Sequence, residues 1–182
     1  MADTRGSFEE LRSRLQLGPD GTLTLNGQGM MLLPRHFLRY VLREVGAVVG
    51  AEAFRKMFWK AGRDGAVTFC RRFQEVHGCT RRQAVDGYLN EMSLRGWGRF
   101  TVLRLTPETG DMEVALRNSV LAPESDLPSG NVICEGAMCG AMAFLREVPG
   151  RPLEGSLVSR GAMMPDGEGT YFHIIVTSGS ER

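Results

Sequence analysis

Long hydrophobic runs are missing from this chain of 182 residues. The apolar stretch Met30 to Leu33 is far shorter than the roughly 20 residues that span a bilayer. The polar start, Asp3 to Arg14, also lacks the apolar segment of a secretory signal peptide. We therefore expect a cytoplasmic protein that has no membrane span.

An excess of charge of either sign is missing too, because 22 Lys and Arg residues oppose 21 Asp and Glu residues. No global field draws such a chain to nucleic acid, and we predict no nucleic-acid partner. Hydrophobic residues make up 42% of the sequence and charged residues 24%, which is the composition of a folded protein. A single domain over residues 1–182 is expected, since this length suits one sizeable core.

Residues for common catalytic chemistry are scarce. The three histidines are too scattered to indicate a triad, and the sequence contains no glycine-rich phosphate loop. Four cysteines could form two disulfides, but without a secretion signal we expect free thiols. Cys70 and Cys79 each precede a pair of arginines, and nearby cations can activate a thiol. A hydrated basic surface with an incidental thiol is the plainer interpretation.

Helical periodicity dominates the first half of the chain. A short helix over 7–15 precedes a small hairpin that ends in the apolar run at 30–33. Apolar residues at spacings of three and four predict further helices, with an interruption at Gly62 to Gly65 and a cap at Thr80. These predicted helices span 34–49, 51–75 and 81 to about 95.

The periodicity changes to two in the second half. Residues 99–105 and 112–116 predict a β-hairpin, and 153–160 and 170–177 predict two more strands. The last of these is almost continuously apolar, which predicts a central strand. Between the hairpins, residues 131–147 predict a helix rich in Gly and Ala that is buried on most sides. The order of elements predicts an α+β domain, in which the N-terminal helices and this small-residue helix pack against an antiparallel sheet.

Four features of the second half resemble the 4-vinyl-reductase domain family. They are the segment Arg95 to Phe100, the hairpin ending in Arg117-Asn118-Ser119, the small-residue helix from Cys134 to Leu145, and a closing pair of strands. The resemblance divides the single domain into a helix and hairpin (1–33), a helical region (34–95) and a 4-vinyl-reductase-like region (96–177).

The resemblance implies a bacterial small-molecule-binding domain that forms homodimers and is related in fold to subunits of the TRAPP vesicle-tethering complex. Such domains serve as sensory inputs for aromatic compounds or associate with tetrapyrroles, so a haem or tetrapyrrole ligand is one implied option. Many bind zinc through cysteines near the start of the small-residue helix and in the terminal hairpin. Cys134 matches the first position, but residues 153–176 contain no cysteine, so the family's ligands are largely missing.

The residues alone also give little support to a metal site. Cys134 and Cys139 lie about 140° apart around a helix, so they do not face one ion together. His77 and Cys79 could add zinc ligands, but cysteines that act as small apolar residues are the plainer interpretation. We predict no metal site, with these four residues as weak candidates.

Ten methionines are many for this length and favour either plain core filling or an adaptable pocket. Six of them are predicted on core faces, namely Met30, Met31, Met57, Met92, Met138 and Met142. With the resemblance, they predict a non-catalytic sensor or carrier of a small hydrophobic molecule, aromatic or tetrapyrrole-like. The pocket is expected between the sheet, the helix at 34–49 and the small-residue helix. Its predicted lining residues are Phe58, Trp59, Tyr88, Trp97, Met138, Met142, Phe144 and His173. The alternative is a homodimeric accessory or assembly subunit of an enzyme complex, and a reductase is a third, less favoured hypothesis.

Overall fold

The computed structural model of the protein describes residues 8–25, 27–108, 111–120, 132–146, 153–163 and 170–178. For residues 153–163 and 170–178, the description covers the backbone and not the side chains. The loop predicted at 122–130 lies outside the described residues. Within them, the chain forms five helices and two antiparallel sheets, and helices pack on the larger sheet. The predicted α+β class is therefore confirmed.

A short helix and a small sheet open the described chain. Helix α1 spans Phe8–Arg14, and an antiparallel sheet follows in the order β1 (Leu15–Leu17), β2 (Leu23–Leu25) and β3 (Gln28–Met30). The predicted hairpin is present as β2 and β3, whereas β1 is too short to show alternation in the sequence. Met31 is 70% exposed, because the chain leaves the sheet there. Its predicted place on a core face is wrong.

Three helices follow, α2 (Arg35–Val49), α3 (Ala51–His77) and α4 (Arg81–Leu94). Helix α4 begins after Thr80, as predicted. Thr80 Oγ1 accepts a hydrogen bond from Gln83 N at 3.2 Å, and Gln83 Oε1 accepts one from Thr80 N at 2.9 Å. This capping box satisfies N–H groups that a helix start leaves without partners. None of the helices in the described part of the chain is long and apolar enough to cross a membrane.

Helix α3 runs without a break over 27 residues, so the interruption predicted at Gly62 to Gly65 is wrong. Gly62 lies against a later helix, α5 (Val132–Arg146), where a Cβ would lie 2.2 Å from the Ile133 carbonyl oxygen. The glycine permits close backbone approach and does not end the helix. Met57, also predicted on a core face, lies beside the buried stripe of α3 and is 52% exposed.

The larger sheet contains four antiparallel strands. They are β4 (Arg99–Thr106), β5 (Asp111–Arg117), β6 (Leu153–Met163) and β7 (Thr170–Ser178). Their order is β4-β5-β7-β6, so β7 is central, as its apolar sequence predicts. Strand β4 forms one edge, and a bulge between Val102 and Arg104 interrupts its pairing with β5. Both predicted hairpins are confirmed.

Helix α5 lies between α3 and the strands β6 and β7. Twelve of its fifteen residues are buried, which confirms the prediction of a helix buried on most sides. A Cβ on Gly136 would lie 2.0 Å from the Trp59 oxygen, and one on Gly140 would lie 2.2 Å from the Arg63 oxygen. Glycines on both helices therefore bring the two backbones into contact.

Helix α2 lies at the outside of the helical layers. Among the described elements it packs chiefly on α3, and not over the sheet, where the predicted pocket places it. Its start is fixed by Arg35, whose Nε and Nη2 donate to the carbonyl oxygens of Val120 and Ser119 at 3.1 and 3.0 Å. The described elements therefore do not adopt the arrangement that a pocket between α2, α5 and the sheet requires.

Two buried carboxylates join elements across the core. Arg55 Nη2 of α3 donates to Glu135 Oε1 of α5 at 3.0 Å. Burial raises the pKa of the Glu135 carboxyl, and the Arg55 charge partly offsets this effect. Arg14 Nη1 donates to Glu91 Oε1 at 2.8 Å, which ties the end of α1 to α4.

We expect Gly62→Ala to lower the free energy of unfolding by about 1–3 kcal/mol, because its methyl group overlaps the backbone of α5. Gly65→Ala is the matched control, since Gly65 lies in the same helix and has open space around its Cβ position. The control should gain about 0.5–1 kcal/mol through lower backbone entropy in the unfolded state. Urea denaturation followed by circular dichroism measures both values. Equal stability of the two variants would contradict backbone contact between α3 and α5.

Candidate functional site

A cleft of about 380 Å³ lies between helix α4 and the edge strand β4. Clefts that bind small molecules have volumes of about 300–1,000 Å³, with mostly apolar walls and a few polar groups. This cleft falls within that range, and more of its surface is apolar than polar. Its lining residues are Arg82, Asp86, Leu89, Asn90, Phe100, Thr101, Val102, Leu103, Arg104 and Leu105.

Strand β4, which lies at the sheet edge, forms one wall of this cleft. Side chains alternate between the two faces of a sheet, so a pocket on one face is lined by every second residue of a strand. Here six consecutive residues, 100–105, line the cleft, which means that the edge of β4 borders it. At one end, Phe100 N donates to Ser93 Oγ at 3.1 Å and joins the strand to the last turn of α4.

Charged residues of the cleft are paired with opposite charges. On α4, Arg82 Nε donates to Asp86 Oδ2 at 3.0 Å, an i,i+4 pair of the kind common on helix surfaces. On β4, Arg104 Nη2 donates to Asp111 Oδ1 at 3.2 Å and also to Glu113 Oε1 on the neighbouring strand. Because each arginine has an acidic partner, the cleft holds no strong local excess of one charge.

One polar atom of the wall stands apart from these pairs. Asn90 is partly exposed, but its Oδ1 is shielded from solvent and accepts no hydrogen bond within the part of the chain that the structure describes. Buried polar atoms of folded proteins are hydrogen-bonded in the large majority of cases. Because a water-sized probe does not reach this oxygen, a molecule in the cleft does not reach it either while the side chain keeps this conformation.

The predicted lining residues lie elsewhere, in the main core. Seven of the eight belong to one hydrophobic cluster or pack against it, namely Phe58, Trp59, Tyr88, Trp97, Met138, Met142 and Phe144. The backbone of His173 pairs with Glu113 and Ser159, while its side chain lies outside the description. The structure therefore brings these seven into a common core, and none of them lines the cleft between α4 and β4.

Tyr88 lies among thiols and one cation in that core. Its ring centroid lies 5.2 Å from that of Phe69. Burial raises the pKa of the Tyr88 hydroxyl, and the thiols of Cys70 and Cys134 raise it further, while the Arg95 charge lowers it. The hydroxyl is therefore neutral at physiological pH.

Three of the four cysteines are buried. Desolvation raises the thiol pKa of Cys70, Cys134 and Cys139 to about 12, so these thiols are protonated at neutral pH and are poor nucleophiles. Cys79 is partly exposed, and His77 lies exposed at the end of α3. Among the described residues, no three His, Cys, Asp or Glu side chains are grouped as metal ligands require. The weak metal candidates Cys134, Cys139, His77 and Cys79 are thus not brought together at a metal site.

Sequence reasoning misses the cleft for a physical reason. Arg82, Asp86 and Asn90 recur every four residues, and such a polar stripe predicts a solvated helix face. Only the tertiary position of β4 beside α4 converts this stripe into a wall. The four-residue spacing of Arg82, Asp86 and Asn90 is the one feature of the sequence that groups them on a common helix face.

Comparison with protein families gives a partial match. Residues 16–103 match a family described as a domain of unknown function, DUF5943. No curated protein matches the chain. The resemblance to the 4-vinyl-reductase domain family is not shown by these comparisons and stays a prediction.

Several solved structures are similar in fold. The phenol-responsive sensory domain of the transcription activator PoxR, in complex with phenol, aligns with a TM-score of 0.67 and 15% identity over 92% of this chain and 88% of that one. A trafficking protein particle complex subunit 3 from Naegleria fowleri, covalently bound to palmitic acid, gives 0.48 and 9% over 78% and 91%. A structure that probes heme distortion in the H-NOX family gives 0.48 and 14% over 96% and 87%. The first likeness shows that this chain has the fold of the PoxR sensory domain.

We expect the thiol reagent DTNB to react rapidly with one cysteine of the folded protein, Cys79, and with all four after denaturation. Burial slows the reaction of the other three thiols for two reasons. The reagent cannot reach them, and their raised pKa leaves very little of the reactive thiolate at neutral pH. Absorbance at neutral pH counts the released thiolate, and Cys79→Ser should abolish the rapid phase. Two or more rapidly reacting thiols in the folded wild type would contradict the placement of these cysteines.

Proposed function

We propose that this chain is a non-catalytic sensor or carrier domain that binds a small, largely apolar molecule of aromatic character. The cleft between α4 and β4 carries this proposal. Its volume suits a small molecule, its surface is more apolar than polar, and its charged side chains are mutually paired. These are the properties of a site that binds by apolar contact with a few orienting polar groups.

The fold gives separate support. The PoxR sensory domain, whose fold this chain shares over most of its length, is phenol-responsive and was solved with phenol. An α+β domain of this kind can therefore hold a small aromatic molecule. The core residues predicted from the sequence, centred on Tyr88 and Met138, remain the competing location for such a ligand within the proposal. A haem or other tetrapyrrole stays among the hypotheses, and an absorption spectrum of the purified protein tests it directly.

The environment of three of the four thiols disfavours thiol chemistry at those positions. Cys70, Cys134 and Cys139 are protonated at neutral pH because burial raises each thiol pKa to about 12. A thiol in that state is a weak nucleophile. The chemistry of these three residues is therefore that of small apolar side chains in the core.

The second candidate, a homodimeric accessory subunit, is favoured by one observation. Large apolar side chains are exposed along α2 and the segment before it, namely Met31, Leu32, Leu33, Phe37, Tyr40, Val41, Val48 and Val49. Contiguous apolar surfaces of this kind mark protein interaction sites in many proteins. Sedimentation equilibrium tests the dimer, and a strict monomer at tens of micromolar would contradict this candidate.

We expect aromatic compounds to raise the melting temperature of the wild-type protein, since binding to the folded state alone stabilises it. A panel of phenols, naphthols and indoles, screened by thermal shift and confirmed by native mass spectrometry, measures this effect. Thr101→Trp should reduce the shift, because Thr101 lines the cleft and the larger side chain fills part of it. Thr106→Trp is the matched control, since it lies on the same strand but outside the cleft lining.

The two parts of this experiment separate the possible results. A panel that neither shifts the melting temperature nor yields a bound species contradicts the proposed function. A ligand that binds Thr101→Trp as tightly as Thr106→Trp contradicts the cleft as its location and favours the core around Tyr88.

A further inference from the structure

We infer that the outer face of helix α2 is an interface between two copies of this chain, in which the two α2 helices pack antiparallel to each other. The inference rests on the second candidate function and deepens it, because it names the contacting residues and their arrangement. It does not depend on which molecule the cleft between α4 and β4 binds.

The exposed side of α2 carries a regular apolar stripe. Leu42 and Gly46 are buried, whereas Phe37, Val41 and Val48 are 50%, 40% and 85% exposed. At about 100° per residue, these three exposed side chains lie within an arc of about 40° around the helix. Their spacings of four and seven residues are those of a seam along which one helix packs against another.

The exposed apolar surface is also of the size that an interface needs. Five further large apolar side chains of α2 and of the segment before it are exposed, namely Met31, Leu32, Leu33, Tyr40 and Val49. At roughly 150 Å² for a fully exposed side chain of this size, the whole set presents an apolar area on the order of 700 Å². The largest apolar patch on a typical monomer measures about 300–600 Å², and each partner of a stable complex buries about 800 Å². A second copy of the chain would cover an area of this size.

One carboxylate on the stripe decides which partner fits. Glu44 lies about 20° from Phe37 around the helix. Its side chain is 68% exposed, and Arg43 Nε and Nη2 donate to its Oε1 at 3.0 and 2.8 Å. A lipid bilayer that took up the stripe would also take up this charged group, which is unfavourable. A second copy instead brings an arginine of its own to the carboxylate, so the face is complementary to itself in charge.

These charges also determine the direction of the second helix. In a parallel pair, each Glu44 would face the Glu44 of the second copy, and like charges in contact are unfavourable. An antiparallel pair has a two-fold axis midway between Phe37 and Val48, which places Phe37 of one copy opposite Val48 of the other. The same axis brings Glu44 of each copy close to Arg43 of the other. The antiparallel arrangement therefore joins apolar contacts at both ends to opposite charges in the middle.

Val48→Glu tests this face with little risk to the fold, because the Val48 side chain is 85% exposed. We expect the variant to weaken self-association at least about tenfold, since it places a charge on both sides of the interface. Val76→Glu is the matched control, because Val76 lies on α3 and is 51% exposed. Its dissociation constant should equal that of the wild type. Sedimentation equilibrium measures the dissociation constants, and circular dichroism establishes that each variant is folded.

Charge reversal tests the contact between the copies. Glu44→Arg and Arg43→Glu each place like charges on both sides of the interface, so either variant alone should associate about tenfold more weakly. An equal mixture of the two variants should recover association as a heterodimer, because each copy then meets the opposite charge. A pair within one chain cannot produce this recovery. Native mass spectrometry separates the heterodimer from both homodimers by mass.

Cross-linking tests the direction of the helices. Phe37→Cys and Val48→Cys are each made in a Cys79→Ser background, which removes the partly exposed native thiol. After oxidation with copper phenanthroline, the antiparallel pair predicts a disulfide-linked dimer in the mixture of the two variants and none in either variant alone. Cross-linking of one variant to itself would contradict the antiparallel arrangement.

The outcomes distinguish this inference from the candidate functions. A dimer that Val48→Glu leaves intact overturns the role of α2, while the second candidate function stands. A wild type that stays monomeric at tens of micromolar overturns both, and the aromatic panel tests binding in the cleft independently. If the wild type but not Val48→Glu sediments with vesicles of phosphatidylcholine and phosphatidylglycerol, the face binds lipid and the inference is overturned.

Discussion

Backbone contact between α3 and α5 is the constraint on which the rest of the fold depends. Gly62 on one helix, and Gly136 and Gly140 on the other, leave no space for a Cβ at the interface. The close approach lets α5 bury one side against α3 and the other against β6 and β7. A helix surrounded in this way must be apolar on nearly all sides, which accounts for its composition of Gly, Ala, Met and Cys.

This contact also influences where a ligand can lie. The backbones of α3 and α5 meet at Trp59 and Gly136, so there is no room for a molecule between them at that point. Helix α4 packs on α3, on α5 and on the edge strand β4, and the observed cleft lies along this last contact. The proposed site is therefore at the margin of the core, where a sheet edge and a polar helix stripe meet, and not in its centre.

Local signals in the sequence account for much of the fold. Thr80 immediately precedes the helix that it caps, and the apolar sequence of β7 corresponds to its place between two other strands, so both predictions are confirmed. The sequence signal of Gly62 is ambiguous, because a missing Cβ can either weaken a helix or admit another backbone. The deciding partner, Ile133, lies about 70 residues further along the chain, beyond the reach of a local pattern.

The candidate site could not be predicted for a related reason. The aromatic and methionine residues chosen from the sequence do share one environment, but it is the hydrophobic core, because apolar periodicity indicates burial and does not distinguish a pocket from packing. The cleft instead contains Arg82, Asp86 and Asn90, whose spacing is that of a solvated helix face. Their significance depends on β4 lying at the sheet edge, which follows from strand order and not from any single segment.

The location of a bound aromatic molecule tests this account most directly. Titration of the isotope-labelled protein with 2-naphthol, followed by two-dimensional NMR of the backbone amides, maps the residues that sense the ligand. The account predicts the largest shift changes in α4 from Arg82 to Asn90 and in β4 from Phe100 to Leu105. Changes concentrated instead in α3 and α5, around Trp59 and Met138, would contradict a site at the margin of the core and place the ligand within it.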